Sequence, residues 1–285
     1  MTHEHLDPYA ILETLGLLDV TTVTPVQGGT DTAIWRVEKA GKIYALRVFQ
    51  KGEDDDCQRE QVVMQAALAA GLPVPQIHAM GKWHDYPALL LSWLPGRPIA
   101  EELLAHPWRA WSLGLLFGQM QAIIHTLAAP DVLCQQPEAW INWSGPDEKP
   151  LQECLHRAKQ QALTLLHLDY HPLNVLTDGN KITAVLDWRN ALSGDPRADA
   201  ARTVSILRYA SLGRRSILEL LVLRIFEAGW RRGYEQKRGA LGNMNLFYAW
   251  ASAVMERDLA TKLTQKDLSL IHRWTLKWKK RVGCF

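Results

Sequence analysis

The sequence has almost no excess of one charge: 32 lysines and arginines stand against 30 aspartates and glutamates, a formal net charge of +2. Surfaces for nucleic acid or membrane usually carry a strong basic bias, and none is present. Long apolar runs are missing too. The stretch Leu89-Leu90-Leu91 is far short of the roughly 20 residues that span a bilayer. Near the N-terminus, His3, Glu4 and Asp7 stand where a secretory signal would have its apolar region. The cysteines Cys57, Cys134, Cys154 and Cys284 lie far apart with no CxxC spacing. They provide no metal framework and suit a reducing compartment. No repeat and no low-complexity linker is visible. A chain of 285 residues, 47% of them apolar, can bury a large core, so a cytoplasmic globular protein is expected. The one excess is tryptophan, with twelve copies.

Periodicity divides the chain. Apolar Ile11, Leu12, Leu15 and Leu18 recur at helical spacing and predict a helix near 8–18. Thr22-Val23-Thr24, Ile34–Val37 and Ile43–Phe49 have strand character, with turns at 27–31 and at Ala40-Gly41-Lys42. A helix from about Gln58 to Ala70 follows the acidic run 53–56 and is stopped by Gly71, Pro73 and Pro75. Leu89–Leu91 reads as a buried strand, broken at Pro95. Beyond it the pattern turns helical, with segments at 108–127, 217–234 and 246–263. A β-rich part followed by a helical part predicts an α+β protein in two lobes, 1–95 and 96–285. The Pro- and Gly-containing stretch 131–150 predicts a long irregular insertion.

The chemistry is concentrated in His167-Leu168-Asp169-Tyr170-His171-Pro172-Leu173-Asn174-Val175-Leu176, followed by Ile182–Leu186 and Asp187-Trp188. Pro172 keeps Asp169 and Asn174 off one helix face. The Asp178-Gly179-Asn180 turn then makes a hairpin that carries Asn174 and Asp187 to the same end. Two carboxylates and an amide oxygen are hard donors that suit Mg²⁺ shared with substrate phosphates. Phosphoryl transfer needs such a set: an aspartate to accept the attacking hydroxyl's proton, and an asparagine and second aspartate to hold the metal.

In its motifs the segment resembles the aminoglycoside phosphotransferase family, the kinase-like group that also covers choline, homoserine and related kinases. That family's His-Gly-Asp-x-His-x-x-Asn loop is matched by His167 to Asn174, and its Asp-Trp by Asp187-Trp188. Its Gly-Asp-Pro-x-x-Asp is matched by Gly194 to Asp199. The resemblance runs from about Val23 onward. It implies a bilobal protein-kinase-like fold, with a small antiparallel β lobe, a larger helical lobe, and ATP or GTP with Mg²⁺ between them. It implies Asp169 as catalytic base and Asn174 and Asp187 as metal ligands. Gly28 and Gly29 match the loop that covers the nucleotide. Arg47 takes the place of the phosphate-pairing cation, with Glu60 as its partner. Ser92 and Leu94 lie on the strand and hinge that hold the base. The implied partners are a nucleoside triphosphate and a small-molecule hydroxyl acceptor, with neither nucleic acid nor membrane.

Departures bear on the acceptor. Leu168 stands where the family usually has glycine, and Leu173 where it often does, which restricts the backbone angles open to the loop. Arg189 and Asn190 follow Asp-Trp where relatives frequently carry an acid, which weighs against a polycationic acceptor. Asp147, Glu148, Glu153, Glu256 and Asp258 are the candidate acceptor-side carboxylates, with solvated surface as their alternative reading. His125 and His167 read as structural, and Asp199 as a brace near a helix start. Trp140 and Trp143 read as packing, with contact to a cationic or sugar-like acceptor as the alternative. Lys277–Arg281 reads as a solvated basic end. Three functions follow: an antibiotic kinase, a metabolite kinase for choline, homoserine or a sugar, and a nucleotide-binding pseudokinase.

Overall fold

The structure, a computed structural model, describes residues 5–26, 32–209 and 216–283. It divides into two compact units, residues 1–96 with 183–189, and residues 97–182 with 190–285. A single boundary at Pro95 does not provide for the return of 183–189. That segment is held in the first unit by the Val185 N–H on the Pro73 carbonyl, at 2.7 Å, and by the Trp188 N–H on Glu60 Oε1, at 3.1 Å.

In the first unit α1 (Pro8–Thr14) starts where Asp7 accepts the N–H groups of Tyr9 and Ala10 and Pro8 takes the first helical position. Strands β1 (Thr22–Pro25), β2 (Ala33–Lys39), β3 (Lys42–Val48), β4 (Ile77–Trp83) and β5 (Tyr86–Ser92) make a five-stranded sheet of order β1-β2-β3-β5-β4. Every neighbouring pair is antiparallel. Helix α2 (Asp54–Ala69) enters after β3 and carries Asp54, Asp55 and Asp56 in its first turn, where the helix dipole favours acids. Strand alternation sorts the residues. Trp35, Val37, Leu46, Val48, Ala88 and Leu90 pack with Ile11 and Leu12 in one core. Arg47, between Leu46 and Val48, therefore faces the other way.

The second unit opens with β6 (Arg97–Pro98), α3 (Ile99–Ala105), α4 (Ala110–Ile124), α5 (Asp131–Cys134) and α6 (Lys149–Arg157). Then come β7 (Thr164–Leu166), β8 (Val175–Thr177), β9 (Ile182–Val185), which carries the chain out of this unit, and β10 (Leu192–Gly194). Four helices complete it: α7 (Pro196–Tyr209), α8 (Ile217–Arg238), α9 (Asn245–Leu259) and α10 (Gln265–Val282). β6 pairs with β8, and β7 with β10, both antiparallel.

Two expectations change here. The stretch 131–150 is not irregular throughout, but folds into α5 and short 3-10 turns at Ala139–Ser144 and Pro146–Glu148. Trp140 anchors it. Its ring is fully buried, edge-on to Trp250 at 4.9 Å and stacked on Phe247. The Trp250 indole N–H in turn donates to the Trp140 carbonyl at 3.1 Å. The basic end 277–281 keeps its reading: it lies in α10 with Lys277, Lys280 and Arg281 exposed, while Ile271, Thr275 and Trp278 of that helix are buried. Cys57 and Cys134 are free thiols, whereas Cys154 is disulfide-bonded, a departure from a fully reduced set.

Helices α4 and α8 run side by side in the same direction on glycine. Gly114 meets Phe226 and Trp230, and Gly118 meets Trp230 and Tyr234. From the other side, Gly229 meets Trp111 and Gly114, and Gly233 meets Leu115. A methyl group at Gly118 would sit 2.8 Å from the Tyr234 nitrogen and overlap the Trp230 carbonyl. Backbone cannot yield as a side chain does. At Gly81 the obstacle is only a flexible Leu15 methyl, 2.8 Å away. Gly118→Ala is expected to cost about 3 kcal/mol in a urea titration and Gly81→Ala less than about 1 kcal/mol.

Candidate active site

The residues singled out in the sequence fall into two groups, one in each unit. In the first, Arg47 projects from β3 into a nearly dry environment and is 7% exposed. Its Nη1 donates to Glu60 Oε1 at 2.6 Å and its Nη2 to Asp187 Oδ1 at 2.8 Å. Glu60, on α2, is fully buried and also receives the Trp188 N–H. It is thus no surface residue. Burial pushes its carboxyl up to about 7 against the pull of Arg47. Burial would lower the Arg47 pKa, but Glu60 and Asp187 outweigh it and hold the guanidinium charged. Asp187 sits in the left-handed region at φ 61°, with its side chain 39% exposed. A strained residue that keeps its carboxylate open to solvent is a functional candidate.

Arg189 does not stand as a free cation after Asp187. Its Nη2 donates to Glu53 at 2.6 Å and Asp56 at 2.9 Å, so the acidic run before α2 neutralises it. The weight given to it against a polycationic acceptor is therefore removed. Ser92 closes β5 by exchanging bonds with Gln76: its N–H reaches the Gln76 carbonyl and its Oγ receives the Gln76 N–H, both at 2.8 Å. Leu94 is half-buried just beyond it. Gly28 and Gly29 lie outside the described residues.

In the second unit the loop 167–174 is gripped by one face of α7. Asp199 Oδ1 accepts the Leu168 N–H at 2.7 Å and Oδ2 the His167 N–H at 3.2 Å. Arg202 Nε donates to the Leu168 carbonyl, and Thr203 Oγ1 to the Tyr170 carbonyl at 3.0 Å. Positions 199, 202 and 203 share a helix face by their i, i+3, i+4 spacing. The Ala100 N–H at the start of α3 holds the Pro172 carbonyl at 3.0 Å. Asp199 is therefore a brace, but for the loop and not for its own helix. Arg202 and Thr203 were missed in the sequence; their spacing from Asp199 was the available signal.

That grip explains Leu168. The position is left-handed, φ 60°, as a glycine would allow, yet the leucine adopts it with its side chain fully buried. The cost, on the order of 1 kcal/mol, is borne because both its N–H and its carbonyl are held. Asp169 follows with its side chain 25% exposed. The Asn174 amide nitrogen donates to the Asp169 carbonyl at 3.1 Å and to Oδ2 at 3.3 Å, which turns the amide oxygen away from the aspartate. His171 Nδ1 receives the Leu173 N–H, leaving Nε2 facing Asp169 Oδ2 at 3.6 Å. Burial would raise the Asp169 pKa, but the His171 hydrogen bond and the charges of His171, Arg202 and His167 hold it below the usual carboxylate range.

Asn174 offers an amide oxygen and Asp187 a partly exposed carboxylate, hard donors that fit Mg²⁺. Among the described residues no group of three or more His, Cys, Asp or Glu is assembled for a metal.

A model of the phosphotransferase enzyme family matches residues 22–240. The chain belongs to that family. Its similarity to Escherichia coli hygromycin-B 4-O-kinase is 23% identity over 211 residues, covering 64% of this chain and 61% of that enzyme, so the match spans less than two thirds of the relative's length. The fold of this family member matches a crystal structure of aminoglycoside phosphotransferase APH(4)-Ia in ternary complex with AMP-PNP and hygromycin B. The TM-score is 0.67 at 16% identity, over 96% of this chain and 97% of that one. It also matches spectinomycin phosphotransferase APH(9)-Ia in complex with ADP and spectinomycin, with TM-score 0.60, 12% identity and 97% and 94% coverage. A fructosamine-3-kinase structure from Haemophilus somnus matches with TM-score 0.57, 12% identity and 94% and 95% coverage. The kinase-like α+β fold is thereby shown. No helix among the described residues is long and apolar enough to cross a membrane.

Burial alone would push the Asp199 carboxyl up, but the His125 ring and the loop N–H groups pull it below its ordinary value. A depressed carboxylate stabilises the fold above its unfolded pKa and loses that contribution as pH falls through the folded pKa. Wild-type protein should therefore lose stability below about pH 4. Asp199→Asn should be less stable at neutral pH and show a flatter acid limb, read by thermal melts across pH.

Proposed function

We propose that this phosphotransferase is an ATP-dependent kinase that moves the γ-phosphoryl group to a hydroxyl of a small molecule. The observation that carries the reading is the Asp169 and Asn174 pair. A partly exposed carboxylate is kept ionised, and the neighbouring amide is oriented by it with its oxygen free to act as a ligand. Asp169 orients the acceptor hydroxyl and takes its proton as the hydroxyl oxygen bonds to the γ-phosphorus and ADP leaves. Asn174 and Asp187 would hold Mg²⁺, whose role is to offset the charge of the triphosphate. Arg47, locked by Glu60 and Asp187, would pair the phosphates. Ser92 and Leu94 would border the base and Gly28 and Gly29 cover the phosphates. Positioning and electrostatics supply most of the rate in such a transfer. Dependence on ATP fits a cytoplasmic location.

For the acceptor we favour a metabolite of low net charge over a polycation. Three of the five carboxylates considered already face a cation, Glu148 with Lys279, Glu153 with Arg157, and Asp258 with Arg202 and Arg257, and a fourth, Glu256, is hydrogen-bonded to His272. They offer no uncompensated acidic wall. The second reading, an antibiotic kinase, draws on the hygromycin- and spectinomycin-bound neighbours.

The test is ADP release from Mg·ATP across aminoglycosides, choline, homoserine and simple sugars. Acceptor-dependent turnover should fall at least about a thousandfold in Asp169→Asn. Arg47→Met should raise the KM for ATP about tenfold or more. Tight Mg·ATP binding with no turnover for any acceptor would favour a pseudokinase instead.

A further inference from the structure

We propose that Tyr234 is a positioning residue for the loop that carries Asp169, acting through a buried chain of hydrogen bonds. This rests on the kinase reading only for what the loop does, not for how it is held. His125, the residue that ends α4, is fully buried. Its Nε2 lies 2.8 Å from Asp199 Oδ2 and its Nδ1 lies 2.7 Å from the Tyr234 hydroxyl. Arg238, one turn further along α8, donates from Nη1 to the same hydroxyl oxygen at 3.3 Å. Asp199 then receives the His167 and Leu168 N–H groups.

The donor inventory orders this chain. An ionised carboxylate only accepts, so Nε2 donates to Asp199. Arg238 only donates, so among the recorded partners of the Tyr234 hydroxyl only Nδ1 can accept its hydrogen. Every bond then runs the same way, from Arg238 through Tyr234 and His125 to Asp199. At its outer end is a cavity of about 190 Å³ lined by Gln161, Tyr234, Arg238 and residues 239–241.

The consequence is a choice of His125 tautomer made far from the loop. With the Tyr234 hydrogen on Nδ1, the ring proton is kept on Nε2, where Asp199 needs it. Without that hydroxyl the proton can move to Nδ1, and Asp199 faces an unprotonated nitrogen. Leu168, in a conformation that leucine rarely adopts, then loses the firmness of its main acceptor. The glycine packing of α4 on α8 sets the reach of this chain, because Gly118 abuts Tyr234 itself.

The experiment compares full-length wild type, Tyr234→Phe and Arg238→Gln. Tyr234→Phe keeps the ring that packs on Trp230 and removes only the hydroxyl. Nitrogen-15 NMR of the histidine rings should find the wild-type His125 proton on Nε2 and a shift toward Nδ1 in Tyr234→Phe. Amide exchange at Leu168 should speed up about tenfold, the scale of one lost hydrogen bond, while amides in α9 hold. With any acceptor that supports turnover, kcat should drop about tenfold with the KM for ATP unchanged. Arg238→Gln should move each readout the same way by less, and it serves if Tyr234→Phe does not fold. A wild-type proton on Nδ1, or unchanged Leu168 exchange in both variants, overturns the proposal. Turnover retained in Asp169→Asn would instead refute the kinase reading and leave the exchange result standing.

Discussion

The part of the second unit that carries the loop 167–174 depends on one buried carboxylate. Asp199 has no solvent exposure, and a charge in that position is tolerable only when its oxygens are fully hydrogen-bonded. The donors it gathers are the His125 ring and the N–H groups of His167 and Leu168. The need for acceptance on one side and donation on the other makes the loop and α7 a single element. The loop's left-handed turn, the outward presentation of Asp169 and the tie from Asn174 back to Asp169 follow from it. Thr203 extends the grip, and it is itself held by Gln121, whose other end receives the Trp230 indole N–H. The site is thus supported by helices packed behind it rather than by the loop's own short-range bonds.

The first unit solves a different electrostatic problem. Arg47 is placed by strand alternation on the face opposite the apolar core and would be costly there alone. Glu60 and Asp187 share it, and the Trp188 N–H supplies Glu60 with a further donor. Buried ion pairs are poor evidence for stability, since desolvation offsets the attraction. Their usefulness here is geometric. A planar guanidinium that bridges two carboxylates, with one nitrogen on each, is fixed in orientation and ties Asp187 to Glu60. Arg189 with Glu53 and Asp56 braces the same segment one turn away.

Much of this was legible in the sequence because it is local. The Asp169 to Asn174 spacing, the Asp178-Gly179 turn and the Leu89–Leu91 run are short-range patterns, and the strands and the main helices fall near where periodicity puts them. What stayed hidden was long-range. α7 has no apolar stripe to announce it, because it is buried on nearly every side. Trp140 read as packing, but its partners Phe247 and Trp250, a hundred residues away, could not be named from the sequence. Leu168 in place of glycine read as a restriction. The structure answers it with bonds to Asp199 and Arg202 that no local rule announces. Arg189 read as a loose cation because Glu53 and Asp56 are distant in the chain.

The most direct measurement of the central claim is Mn²⁺ binding, as a stand-in for Mg²⁺, followed by electron paramagnetic resonance with and without ATP. Wild type should bind Mn²⁺ markedly more tightly when ATP is present, and Asn174→Ala and Asp187→Ala should each abolish most of that gain. Equal Mn²⁺ affinity with and without ATP, or variants that bind as wild type does, would contradict a metal–nucleotide site built on these residues.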